Sequence, residues 1–392
     1  MRANLFTTAI CVVSLGSLAV AGPSGPRAPQ PPQGPHTEGE SSMVRSYFYV
    51  GGQYEDDGKG EHVWSGQMYV EKLTPVRGPV KSTPIVLIHG KGQSGTNWLN
   101  KPDGGRGWAS NFIDQGYEVY IVDQPLRARS PLIPSSPLSG STVFTAEIVQ
   151  QRFTAAQDYL LWPQAALHTQ WPGTGRMGDQ VFDAFYSSGV QYISNDTYQQ
   201  AVIQSAGKAL LERIGRKSIV LGHSQAGIFP PLIADAKPEL VHALVLLEPT
   251  GPQFREAVFS QKPARAWGLT DVPFTYDPPV TDPTIQLKKK TYAARGRDEA
   301  ECILQADDDP EHKPRRLKNL VDLPILVVTA ESSYHAVYDY CTVRYLKQGG
   351  CEKTQHFELA KMGIKGNGHM LFMEENSQEI QRKVEQWIRG VR

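Results

Sequence analysis

Gly222-His223-Ser224-Gln225-Ala226-Gly227 carries the chemistry most legible in this chain. The apolar run Lys217-Ser218-Ile219-Val220-Leu221 precedes it and reads as a buried strand. Ile228 to Ala234 follows and can carry a short helix past Pro230 and Pro231. The run is G-x-S-x-A-G, the G-x-S-x-G elbow pattern with Ala226 in its last position and the glycine one residue later. Such a turn between strand and helix is too tight for side chains at its glycine positions. It lifts the serine hydroxyl above the sheet, where a base can reach it. A hydroxyl is a poor nucleophile at neutral pH. It needs a base, a group that orients the base, and N–H donors for the developing oxyanion.

The base is expected in a loop before the last helix. His369, in Gly366-Asn367-Gly368-His369-Met370, sits there, with glycines that permit a tight loop. His335 is the rival, just past a late strand and before a helix over Ala336 to Leu346. His223 is expected to pack under the elbow, and His89 to shape the loop that follows it by hydrogen bonding. For the orienting acid, Leu246-Leu247-Glu248-Pro249-Thr250 places a carboxylate at the tip of an apolar strand, where a charge is costly unless it has a partner. Glu248 is therefore preferred over Glu331, which abuts its own strand, and over Asp339. The oxyanion donors are expected to be the amide of Gln225 and one from His89-Gly90-Lys91-Gly92-Gln93-Ser94-Gly95. Lys91 is favoured there, then Gly92.

The elements that must position these groups follow from the rhythm of the chain. A β-hairpin is predicted from Val44 to Tyr54 and His62 to Leu73 across Asp56-Asp57-Gly58-Lys59-Gly60. Short apolar strands follow at Ile85 to Ile88, Tyr117 to Val122, Ser218 to Leu221, Ala243 to Leu247 and Ile325 to Val328, with another near Phe357 to Leu359. Helices are expected at Trp108 to Gln115 and Gln378 to Ile388. Continuous apolar strands alternating with helices mean an α/β fold with a mostly parallel sheet covered on both faces. Two long proline-bearing inserts, near 131–194 and 250–320, are expected to lie as lids over the strand ends. Their aromatics, Trp162, Trp171, Phe182, Phe185, Tyr186 and Trp267, suggest a substrate with an apolar portion.

Bulk properties limit the partners. Among 392 residues, 40 Lys plus Arg balance 40 Asp plus Glu, so nothing electrostatic recommends nucleic acid or an anionic membrane. Arg2, the apolar run Leu5 to Val20 and Ala19-Val20-Ala21 read as a signal peptide over 1–21, cleaved after Ala21, implying export rather than stable membrane insertion. Residues 22–42 read as a disordered Pro-rich leader, and 43–392 as the folded domain. Asn195-Asp196-Thr197 is then a usable glycosylation sequon. Of four cysteines Cys11 leaves with the signal, and Cys302 with Cys341 is the preferred disulfide, tying a lid segment to a core helix, with Cys351 spare.

With these pieces in place, the chain resembles the α/β-hydrolases, and more narrowly the secreted serine esterases whose acid is a glutamate after the sixth strand. The matching residues are Ile88-His89-Gly90, Val122-Asp123-Gln124-Pro125, the elbow, Leu247-Glu248-Pro249, Ser333-Tyr334-His335-Ala336 and Gly366-Asn367-Gly368-His369. Ala128 departs from the glycines that many such enzymes carry in the loop Arg127-Ala128-Arg129-Ser130 and is expected to touch no catalytic group. The resemblance implies a carboxylic ester substrate and chemistry without metal or cofactor. A lactonase, amidase or acyltransferase would share this machinery. A hydroxynitrile-lyase-like lyase and a non-catalytic binding protein are the other classes, and oligomeric state is not encoded in these residues.

Overall fold

The computed structural model describes residues 39–132, 141–308 and 313–391. The expected signal peptide and nearly all of the leader lie outside them. Eight strands form one sheet: β1 (Met43–Asp56), β2 (His62–Pro75), β3 (Ile85–Ile88), β4 (Val119–Asp123), β5 (Ser218–His223), β6 (Val241–Leu247), β7 (Ile325–Thr329) and β8 (Thr354–Glu358), in the order β1-β2-β4-β3-β5-β6-β7-β8. The hairpin β1–β2 is antiparallel and joins β4 antiparallel. From β4 to β8 every pairing is parallel.

Strand residues alternate between two apolar layers. Ile85, Leu87, Ile121, Leu221, Val245 and Val328 face one side, packing with α1 (Trp108–Asp114) and the C-terminal helix. Val86, Ile88, Val122, Val220, Leu246 and Val327 face the other. Both faces are covered, which is why the strands read as unbroken apolar runs. The second layer is capped by α2 (Asp196–Ile214), α3 (Phe229–Ala236) and α4 (Asp339–Gln348), and α5 (Ser377–Gly390) closes the first.

Three elements differ from the sequence reading. Helix α2 was not anticipated. Its buried side mixes Gln199 and Gln200 with Ile203, Ala206 and Leu210, which interrupts the apolar stripe. Its boundaries were legible nonetheless: the Asn195 side chain accepts from the Tyr198 amide, and Gly215 ends the helix in the left-handed region. Strand β8 starts at Thr354, upstream of the expected Phe357, and Leu359 already begins a 3₁₀ turn. Helix α4 starts at Asp339, so His335 lies in a separate 3₁₀ turn, Tyr334–Val337.

The described parts of both inserts are structured. Between β4 and α2 the chain makes a π-helical turn at Gln150–Thr154 and a short helix at Gln180–Ser187. Between β6 and β7 it makes two small antiparallel pairs, Lys289–Tyr292 with Cys302–Gln305 and Tyr276–Asp277 with Arg316–Leu317. Cys302 and Cys341 form a disulfide that ties this second insert to α4, and Cys351 is a free, buried thiol. Closing a segment of 39 residues restricts the unfolded chain, so Cys302→Ala/Cys341→Ala is expected to cost about 2–4 kcal/mol, read from urea unfolding monitored by tryptophan fluorescence.

Candidate active site

Ser224 follows directly on β5 with φ +59°, the left-handed conformation of a strained elbow. The two elbow glycines are dictated by space. A Cβ on Gly222 would sit 2.0 Å from the Ala226 carbonyl oxygen, and one on Gly227 2.4 Å from the Pro249 Cα. No side chain fits either place. The second contact locks the elbow against the residue following Glu248.

His369 reaches the elbow from the loop between β8 and α5. Its Nε2 lies 2.9 Å from Ser224 Oγ, and its Nδ1 lies 2.7 Å from Glu248 Oε2. Glu248 is fully buried at the tip of β6, itself left-handed at φ +49°. Its carboxylate also accepts from the Ala330 amide (2.8 Å) and the Ser333 hydroxyl. Thus Ser333, in the loop after β7, donates to the acid on the neighbouring strand. Burial pushes the Glu248 carboxyl well above the usual range, aided by the nearby Asp339 charge, while Ser333 and Ala330 pull against that rise. Burial likewise holds the His369 imidazole well below its usual value, and the neighbouring His223 and His335 add to the effect. The ring is therefore neutral at physiological pH, the state in which Nε2 can take a proton.

The loop carrying His369 is clamped by a residue that sequence reading missed. Glu374, fully buried, accepts from the Gly368 amide with both oxygens (2.9 and 3.0 Å), from Asn367 Nδ2 (2.8 Å) and from His168 Nε2 (2.8 Å). Asn367 returns its carbonyl to the amide and hydroxyl of Ser332. Glu331, the first alternative acid, accepts from the Gly366 amide at 2.7 Å and so pins the base of the same loop. Asp339 pairs with His335 Nδ1 at 3.0 Å and accepts from Thr329. His335 stacks flat on His369 with ring centroids 4.9 Å apart and planes 3° apart. Among the described residues, Glu248, His335 and His369 bring ligand-type atoms within 4.8 Å of one another. Imidazole–carboxylate hydrogen bonds account for that convergence, since Nδ1 of each ring already faces a carboxylate.

Two further histidines support the frame. His223 donates from Nε2 to the His369 carbonyl (2.9 Å), and burial lowers its pKa to about 3. His89 donates from Nδ1 to the Gly90 carbonyl (2.9 Å) and accepts the Gln124 amide at Nε2 (3.0 Å), fixing one tautomer. It shapes its loop as expected from its place after β3.

That loop lies directly on the elbow: a Cβ on Gly90 would be 3.2 Å from Ser224 Cβ. Gly90, Lys91, Gln93 and Gln225 line the cleft in front of Ser224. Gly92 turns away. It lines the adjoining cavity, and its carbonyl accepts from the Val190 amide at 2.9 Å. The loop reverses at Gly92, with φ +71°. Arg127, from the loop after β4, is fully buried and was not singled out from sequence. It donates to the Gly90 carbonyl (3.2 Å) and to Gln225 Oε1 (2.7 Å), tying the two sides of the anticipated oxyanion site together. Desolvation lowers its pKa to about 9. Ala128, beside it, is left-handed at φ +45°, the conformation for which glycine is the usual choice.

Ser224 opens into a cleft of about 740 Å³ walled by both inserts and α2. The aromatics facing it are Phe144, Phe153, Phe229, Phe259, Tyr334 and Tyr338, and the Tyr334 hydroxyl is 3.3 Å from His369 Nε2. Of the aromatics expected to form the wall, Trp162, Trp171 and Phe182 are instead buried in the core, where proline-rich inserts need packing of their own. Phe185 and Tyr186 line a neighbouring cavity of about 190 Å³ that shares Phe144 and Phe153 with the cleft. The cleft is more polar than expected, with Lys91, Arg152, Asp196, Glu256, Arg265 and Asp271 in its wall. Asn195 of the sequon also lines it, while capping α2.

Residues 85–381 match the model of the alpha/beta hydrolase family. The chain is 44% identical over 347 residues to a protein named "Probable secreted lipase phiG" from a fungal species (strain ATCC 74256), covering 88% of this chain and 90% of that one. A bacterial esterase of known structure superposes with a TM-score of 0.57 at 22% identity, over 93% of this chain and 99% of the other, a likeness of fold. The strand order, the elbow and the extent of these matches lead to one conclusion: the chain belongs to the alpha/beta hydrolase family.

Proposed function

We propose that this hydrolase cleaves carboxylic esters through an acyl-enzyme on Ser224, and that it acts outside the cell. The observation that carries the reading is the unbroken hydrogen-bonded line Ser224–His369–Glu248, at 2.9 and 2.7 Å. Ser224 Oγ attacks the acyl carbon while His369 Nε2 takes its proton. His369 then returns the proton to the departing alcohol. Glu248 accepts from Nδ1–H, fixes the tautomer and stabilises the imidazolium that forms transiently. A water activated by the same Nε2 releases the acid. The amides of Gln225 and Lys91 are assigned to the oxyanion, with Arg127 positioning both strands of that site through Gly90 and Gln225. The ester substrate and the export both draw support from the 44%-identical relative, whose name includes the words secreted lipase. The apolar start of the chain and the disulfide fit export. None of the described helices is long and apolar enough to cross a membrane.

Removing the nucleophile with Ser224→Ala is expected to lower kcat on 4-nitrophenyl esters by about a million-fold with an unchanged circular dichroism spectrum. Turnover retained in that variant overturns the assignment. Glu248→Gln keeps the shape but offers an N–H to Nδ1, favouring the wrong tautomer; kcat should fall about ten-thousand-fold. The equivalent change at Asp339 should cost far less if the acid is assigned correctly. Because burial holds His369 low, the base stays neutral on the acid side of the usual histidine value of 6.5. Activity is present above the lowered pKa and lost as pH falls through it, so the acid limb of kcat/KM should lie below pH 6.5.

A further inference from the structure

Three cations stand in the wall of the cleft, and two are spoken for. Lys91 Nζ is 2.9 Å from Asp196 Oδ1. Arg265 donates to Glu256 (2.7 Å) and to the carbonyls of Pro252 and Arg255. Arg152 is different. Among the described residues it has no carboxylate partner, and its Nε is buried without a hydrogen bond. Its guanidinium lies 4.0 Å over the Phe259 ring, a contact that leaves the planar N–H edge unused.

The acids of the wall cannot answer this charge. Asp196 is held by Lys91 and by Gln225 Nε2, Glu256 by Arg265, and Asp271 by the Arg265 amide and Gln200. Position adds to the case. Arg152 sits on the π-helical turn Gln150–Thr154, a rare geometry that recurs at functional sites. The next residue, Phe153, packs its ring 5.1 Å from His369, and Phe259 is 5.0 Å from Tyr334, which reaches His369 Nε2. The unpaired charge is therefore two rings from the proposed base. A half-buried guanidinium gives up hydration that a bound planar oxyanion restores through paired N–H donors.

We propose that Arg152 selects ester substrates bearing a free carboxylate, which its guanidinium binds while the ester carbonyl lies at Ser224. The inference rests on the ester-hydrolase reading above. The carboxylate can belong to the acyl chain, as in a half-ester of a dicarboxylic acid, or to the leaving alcohol. Both present the same chemistry to Arg152.

The test compares kcat/KM of wild type, Arg152→Met and Arg152→Lys on two matched pairs at constant ionic strength. Mono-4-nitrophenyl glutarate is set against 4-nitrophenyl hexanoate, and 4-carboxyphenyl butyrate against 4-acetylphenyl butyrate. In Arg152→Met the anionic member of one pair should lose about tenfold or more while its neutral partner changes by less than about threefold, and Arg152→Lys should recover part of the loss. The pair that responds tells which side of the ester carries the carboxylate. Neutral-ester turnover doubles as the check that the variant is folded. On wild type alone, benzoate should inhibit neutral-ester turnover more strongly than benzamide, and added salt should weaken that inhibition. Anionic-to-neutral ratios that do not move in Arg152→Met, or benzoate no better than benzamide, overturn the inference and leave the hydrolase reading standing. Failure of wild type to turn over any of the four esters would instead remove the reading beneath it.

Discussion

Everything at the centre of this molecule is arranged around one buried contact, the Glu248 carboxylate facing the His369 imidazole at 2.7 Å. Both groups are shut away from water, so each depends on its neighbours to be tolerated. The carboxylate is met by an amide, a hydroxyl and a ring N–H, which occupy three of its four lone-pair positions. Three other imidazoles, those of His89, His223 and His335, are packed nearby, each holding a backbone or carboxylate partner. Burial keeps protons off the His89, His223 and His369 rings and the local dielectric low. In such a setting a hydrogen bond orients more strongly than the same bond in water.

The parts legible in the sequence were those whose cause is local. Apolar strand runs read correctly because burial on both faces forbids polar interruption, and the turn at Ser224 was legible because Gly222 and Gly227 have no steric alternative. Glu248 could be found from a single argument, that a charge at the end of Val241–Leu247 must have a partner. The pair Cys302–Cys341 followed from which elements it could join.

What stayed hidden has its cause in distant contacts. Glu374 is separated from His168 by 206 positions, and Arg127 from Gln225 by 98, and neither spacing leaves a pattern. Helix α2 was masked by the glutamines on its inner side, which bond to Gln124 and Asp271 rather than filling an apolar layer. The tryptophans of the first insert looked like a wall for substrate. Trp171 instead joins the large apolar layer on one face of the sheet, while Trp162 packs in a small core with Ala156 and Ala165 and donates to the Ser332 carbonyl at 2.9 Å. That bond anchors the insert to the segment that donates to Glu248, so the first insert and the buried contact are mechanically joined.

The meeting of Gly227 with Pro249 has a further consequence. Two strand tips, each ending in a left-handed residue, interlock backbone to backbone, so neither reversal can relax alone. Moving the acid to the loop after β7 would strand the Ala330 amide and the Ser333 hydroxyl with no acceptor. It would also leave a bend after β6 with nothing to do but fit the elbow. Relocating the carboxylate therefore takes several linked changes at once, and its placement on β6 is self-perpetuating.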